Sequence, residues 1–285
     1  MPKKAALLTV HGMGRTEEDY NAQIVSDLRH RLGQLFGSLH VGKVYYQDVL
    51  QPNEDRVWKS VASRVKWDDL RKFVLFGFGD AAGLESGKEP IGSDYAKAQI
   101  KIARELLLAR EAMSMSGPVL ILAQSLGCQV TSNYFWDAHQ AAMGNPPRVG
   151  IWQDIGRVQA QITGGRPLTA EEISFLQGKS FRLFITTGCN IPIFVAAHAK
   201  EDIVPIRPNE HFEWHNYYDQ DDVLGWPLAD MSDEYARVVT DHAVNAGSGI
   251  MGWLLKSWNP MSHTQYWGDT EVLDPLEARL RSLLA

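Results

Sequence analysis

The stretch Val119-Leu120-Ile121-Leu122-Ala123-Gln124-Ser125-Leu126-Gly127 limits most sharply what this chain can fold into. Four bulky aliphatic residues in a row, with no polar alternation, read as a strand buried on both faces, the kind found in parallel sheets. Helical spacing begins at Leu126 and runs to Met143, where Asn145-Pro146-Pro147 stops it. A strand that gives way to a helix within one residue leaves Ser125 on the corner, its hydroxyl projecting past the sheet edge. The small residues two before and two after it, Ala123 and Gly127, let strand and helix approach closely. The helix start adds partial positive charge and unpaired N–H groups beside the hydroxyl.

A second corner of this type lies at the start. Ala5 to Val10 is another continuous apolar run, and it leads straight into His11-Gly12-Met13-Gly14. Ile24, Leu28, Leu32 and Leu35 then recur at helical spacing. Val41, Val44 and Tyr46 alternate, predicting a strand within 40–47. A helix is expected over Tyr95–Glu111, strands over Phe181–Thr186 and Phe212–Tyr218, and helices over Met231–Val244 and Leu273–Leu284. Strands alternating with helices predict an α/β fold: a mostly parallel central sheet of about eight strands with helices on both faces. One domain over 1–285 is expected, with lid-like excursions at 51–93 and 148–178. Gly77, Gly79 and Gly83 loosen the first. The second carries one short helix whose capping box pairs Thr169 with Glu172.

Composition narrows the class. In 285 residues, 45% are hydrophobic and 22% charged, which excludes a disordered chain. The net charge of −6 is spread without a basic stripe, so nucleic acid is not an expected partner. No apolar run reaches the length of a membrane span, and the one behind the N-terminal lysines is too short for a signal peptide. A soluble, cytoplasmic protein is expected. Cys128 and Cys189 are the only cysteines, with no CxxC or metal-ligand spacing; both read as packing residues, and no metal or other cofactor is expected.

Ser125 is therefore a candidate nucleophile, and a serine needs a general base oriented by a carboxylate. Of nine histidines, His263 is loop-borne and follows the last strand-like material, which makes it the expected base. The carboxylate should leave a strand between nucleophile and base. Asn216-Tyr217-Tyr218-Asp219-Gln220-Asp221-Asp222-Val223 does so, with Asp222 preferred and Asp219 as the alternative. Negative charge on a tetrahedral intermediate needs backbone donors. The N–H of Leu126 and the N–H of Met13 are assigned that role, with His11, Gly12, Gly14, Gln124 and Gly127 shaping the surroundings. Trp226, Met251, Trp253, Trp258, Tyr266 and Trp267 lie near these residues in sequence, and serve equally well as an apolar pocket or as core.

Taken in order, His11-Gly12-Met13-Gly14, Ala123-Gln124-Ser125-Leu126-Gly127, the Asp219–Asp222 turn and Ser262-His263 resemble the α/β-hydrolase superfamily, and the HGMG loop is similar to the H-G-x-G of lipase- and esterase-like members. The elbow departs from the usual pattern in having alanine at its first position. The resemblance implies a cofactor-free serine hydrolase that cleaves a small-molecule ester through an acyl-enzyme. Thioester or amide cleavage by the same residues is an alternative, as is a non-catalytic binding protein on the same scaffold. Acyl chain length, natural substrate and oligomeric state are not specified by it.

Overall fold

Six strands, β1 (Ala5–Val10), β2 (Leu39–Val44), β3 (Val119–Gln124), β4 (Phe181–Thr187), β5 (Glu213–Asp219) and β6 (Val239–Val244), run parallel in one sheet ordered β2-β1-β3-β4-β5-β6. The computed structural model describes residues 2–64, 66, 68–114, 117–245 and 266–285. Among these, the α-helices are α1 (Ala22–Leu32), α2 (Gln47–Val61), α3 (Asp68–Glu85), α4 (Asp94–Ala112), α5 (Leu126–Ala142), α6 (Ile155–Thr163), α7 (Ala170–Leu176), α8 (Ile191–Val195), α9 (Asp233–Val238) and α10 (Thr270–Leu284). None of them is long and apolar enough to cross a membrane. The expected α/β class, with helices on both faces, is what the chain adopts. The sheet has six described strands, against an expectation of about eight.

The uninterrupted apolar runs follow from burial on both sides. Leu7, Leu120, Leu122, Leu183 and Ile185 face one layer, packed against Ile24, Leu28 and Leu32 of α1 and Leu276 and Leu280 of α10. Their neighbours Leu8, Ile121, Ala123 and Phe184 face the other, against Ile102 and Leu106 of α4 and Val130 and Tyr134 of α5. Each fully buried leucine contributes roughly 2 kcal/mol relative to exposure. Because α1 follows β1 onto one face and α5 follows β3 onto the other, the chain departs in opposite directions from adjacent strands. The strand order reverses there, and the crevice outside the carboxyl ends of such strands is where α/β sheets bind ligands.

Three stretches differ from expectation. Met231–Val244 is not one helix: α9 ends at Val238 and β6 begins at Val239, pairing with β5 from Trp214↔Val239 to Asp219↔Val244. As an edge strand it is only partly buried, so it lacks the apolar run that marks β1 and β3. Within 51–93 the chain is mostly helical, and the α3 glycines are contact points, Gly77 against Met13, Gly79 against Glu54 and Gly83 against Leu50. Within 148–178, α6 precedes the expected short helix α7, whose Thr169–Glu172 capping box is formed.

Candidate active site

Ser125 stands between β3 and α5 with φ 52° and ψ −123°, a backbone conformation rare for residues that carry a Cβ. Its N–H donates to the carbonyl of Thr187 at the end of β4 (3.0 Å), and its own carbonyl accepts from the N–H of Cys128 (3.0 Å). Both flanks of the corner are thereby tied down. The side chain is 1% exposed, and Oγ has no hydrogen-bond partner among the described residues. Gly127 is required for this packing, since a Cβ there would strike the carbonyl oxygens of His11 and Val10.

That contact brings the loop after β1 against the serine. A Cβ on Gly12 would lie 2.9 Å from the Ser125 Cβ and 3.6 Å from its Oγ, so only glycine lets the two segments meet. His11 organises the loop. Its Nδ1 bonds the Gly12 carbonyl (2.8 Å), and its Nε2 accepts from the N–H of Tyr46 (3.1 Å), which makes Nδ1 the protonated nitrogen. The ring stacks on Tyr46 with centroids 4.0 Å apart, and the Tyr46 hydroxyl donates to the His11 carbonyl (2.9 Å). Burial pushes the His11 pKa down to about 4, so the ring stays neutral. With both nitrogens engaged, His11 positions the loop and is not placed to take a proton from Ser125.

In a trans peptide the N–H points opposite to the C=O. Fixing the Gly12 carbonyl on His11 therefore turns the Met13 N–H the other way. The next N–H, that of Gly14, is taken by the Asp80 carboxylate (2.7 Å). Among the described residues neither Met13 N–H nor Leu126 N–H, the first of α5, has a hydrogen-bond partner. These are the two donors assigned from the sequence, and Gly14 is excluded by geometry.

Asp80 had no sequence signal. It arrives from α3, fully buried, and accepts from Gln47 of α2 (3.0 Å) as well as from Gly14. Glu54 of α2 adjoins it. Burial, then the Asp80 charge, pushes the Glu54 carboxyl up to about 9, and burial raises Asp80 to about 6. The pair behaves as two carboxyls holding a proton at neutral pH.

The carboxylate turn leaves β5 on the same edge, with β4 between it and β3. Asp219 and Asp222 are both buried. Tyr266 joins them: its hydroxyl accepts from the Asp219 N–H (2.9 Å) and donates to Asp222 Oδ2 (2.8 Å). Asp222 Oδ1 accepts from the Leu224 N–H (3.0 Å), and Asp219 Oδ1 from the Asp221 N–H (2.8 Å). Burial raises the Tyr266 pKa, which keeps its phenol a donor. Trp267 is anchored beside it on Thr187 (3.1 Å), so these two aromatic residues brace the turn. Trp226 is exposed. His263, the expected base, and Met251, Trp253 and Trp258 lie outside the described residues. Of the other histidines, His215 and His242 bond each other across β5 and β6 (2.8 Å), and His30, His139, His198 and His211 are exposed.

An apolar cavity of about 370 Å³ opens beside Met13, walled by Phe78 and Ala81 of α3, Ile193 and Phe194 of α8, and Leu224, two residues beyond Asp222. Asn190 also lines it. This residue is 1% exposed, and neither Nδ2 nor Oδ1 finds a partner among the described residues. Each such buried group costs about 1–3 kcal/mol.

No protein-family model matches the chain, and a search of curated proteins finds no similar one. The functional reading therefore rests on the geometry.

Proposed function

We propose that the protein is a serine hydrolase that cleaves carboxylic esters through an acyl-enzyme on Ser125. The observation that carries this reading is the strained Ser125 corner, its Oγ without a hydrogen-bond partner among the described residues and pressed against the His11–Gly14 loop at the point where the strand order reverses. In the proposed reaction His263 takes the hydroxyl proton as Oγ attacks the ester carbonyl. Asp222 holds the imidazole in the required tautomer, with Asp219 as the alternative acid. β3 and β5 stand two strand spacings apart, about 10 Å, a gap that one imidazole with a hydrogen bond on each side bridges.

The Met13 and Leu126 N–H groups receive the oxyanion, each supplying about 3 kcal/mol of transition-state stabilisation. The alcohol leaves with a proton from His263, and water activated by the same ring releases the acid. Oγ is buried in this conformation, so acylation requires the loops at the sheet edge to part first. Thioester cleavage would use the same groups and is separated by comparing acyl-CoA thioesters with oxoesters of equal chain length.

The test is direct. Wild-type protein is expected to hydrolyse a short-chain p-nitrophenyl ester and to be labelled by a fluorophosphonate at Ser125. Ser125→Ala should keep its circular-dichroism spectrum and lose both. Equal turnover by the alanine variant, or no labelling and no turnover by the wild type, overturns the reading.

A further inference from the structure

Over the whole chain the charge of −6 looks evenly spread, yet one short stretch departs from it. Residues 56–72 carry six basic residues, Arg56, Lys59, Arg64, Lys66, Arg71 and Lys72, against two acidic ones, Asp68 and Asp69. The stretch runs through the end of α2 and the start of α3. All six basic residues are exposed, and none of them enters an ion pair among the described residues. Lys72 reaches the Trp58 ring (5.2 Å), which ties the two helices together at this end. From 59 to 72 no described residue is buried, so this end of the helix pair faces water. The acids just before it on α2, Glu54 and Asp55, are buried and half-buried.

Apolar groups share the same two helices. Val57 and Val61 lie four apart on α2, and Val74 and Phe78 follow Arg71 at helical spacing on α3; all four apolar side chains are exposed. One exposed valine is ordinary, but exposed apolar groups interleaved with unpaired cations leave both kinds without a partner. We propose that the paired ends of α2 and α3 dock onto an anionic phospholipid surface. The two kinds of group match the two layers of such a surface, cations meeting phosphate headgroups and apolar side chains the acyl boundary beneath. The rest of the chain is more acidic than the whole, so an anionic surface attracts this end and repels the remainder, which orients the docked protein. A nucleic acid would engage the cations alone and leave the valines in water. The inference is independent of the hydrolase reading.

The experiment sediments the full chain with vesicles of phosphatidylcholine, and with vesicles of phosphatidylcholine and phosphatidylglycerol in equal parts. Binding to the mixed vesicles is expected, at least tenfold tighter than to phosphatidylcholine, and it should weaken as salt is raised. A variant combining Lys59→Gln, Arg64→Gln and Lys66→Gln should bind at least tenfold more weakly. One combining Val57→Gln, Val61→Gln and Val74→Gln should lose about threefold. Both should melt as the wild type does, since every substituted position faces water. Double-stranded DNA of mixed sequence is expected to bind more weakly than the mixed vesicles. The proposal is overturned by equal binding to both vesicles, by binding to neither, or by either variant binding as the wild type does. DNA held more tightly than the mixed vesicles would overturn it in favour of a nucleic-acid surface. Ser125→Ala should sediment as the wild type does, so loss of the esterase reading leaves this result standing.

Discussion

Ser125 holds a conformation that disfavours any residue with a Cβ, and such strain amounts to about 1–3 kcal/mol. It persists because the corner is over-determined, with Thr187 and Cys128 hydrogen-bonded on either side and Gly12 and Gly127 packed against the loop after β1. If the strain serves to present the hydroxyl, removing the Cβ should release it. Ser125→Gly is therefore expected to be more stable than Ser125→Ala by about 1 kcal/mol, after the greater unfolded-state freedom of glycine is subtracted. That corresponds to about 2–4 °C in a thermal melt. A glycine variant melting below the alanine variant would mean that the corner is relaxed. The serine and its glycines were legible in the sequence because the corner is local: strand, turn and helix are contiguous, and each leaves its own pattern.

Elements were legible to the degree that burial made them regular. β1 and β3 are covered on both faces and announce themselves as apolar runs, whereas β6, an edge strand, has partly exposed Thr240, Asp241 and His242 at its centre. The α3 glycines suggested a loosened chain because close helix contact and flexibility use the same residue. Asp80 could not be read at all, since its role depends on Gly14 and Gln47, partners brought to it only by the fold. The hydrogen bond from Gly14 N–H to Asp80 makes α3 a support for the loop after β1. Asp80→Ala should leave that N–H unpaired and let the loop shift, lowering kcat for ester hydrolysis about tenfold with little change in KM. Asp80→Asn, which still offers an acceptor oxygen, should restore most of it. Equal kcat in the alanine variant and the wild type would show that α3 does not position the loop.

At the scale of the molecule, the carboxyl ends of the parallel strands collect the loops after β1, β3, β4 and β5 on one edge, and the groups that brace the first of these loops titrate in opposing directions. His11 has a folded pKa of about 4 against 6.5 when unfolded. Between those values the unfolded chain binds more protons, so this residue's contribution, roughly 3 kcal/mol, is complete above pH 6.5 and is lost as pH falls toward 4. Glu54 has a folded pKa of about 9 against 4.5, and Asp80 about 6 against 3.8. For these the folded state binds more protons, so stability falls as pH rises through the window between each pair of values. Other groups titrate as well, His215 among them in the same sense as His11, so only a difference between variants isolates one residue. Glu54→Gln keeps the shape of the protonated side chain and cannot ionise. Its melting temperature should match the wild type near pH 4.5 and exceed it by a growing margin toward pH 9. A margin that stays constant over that range would mean that Glu54 is ionised in the folded protein.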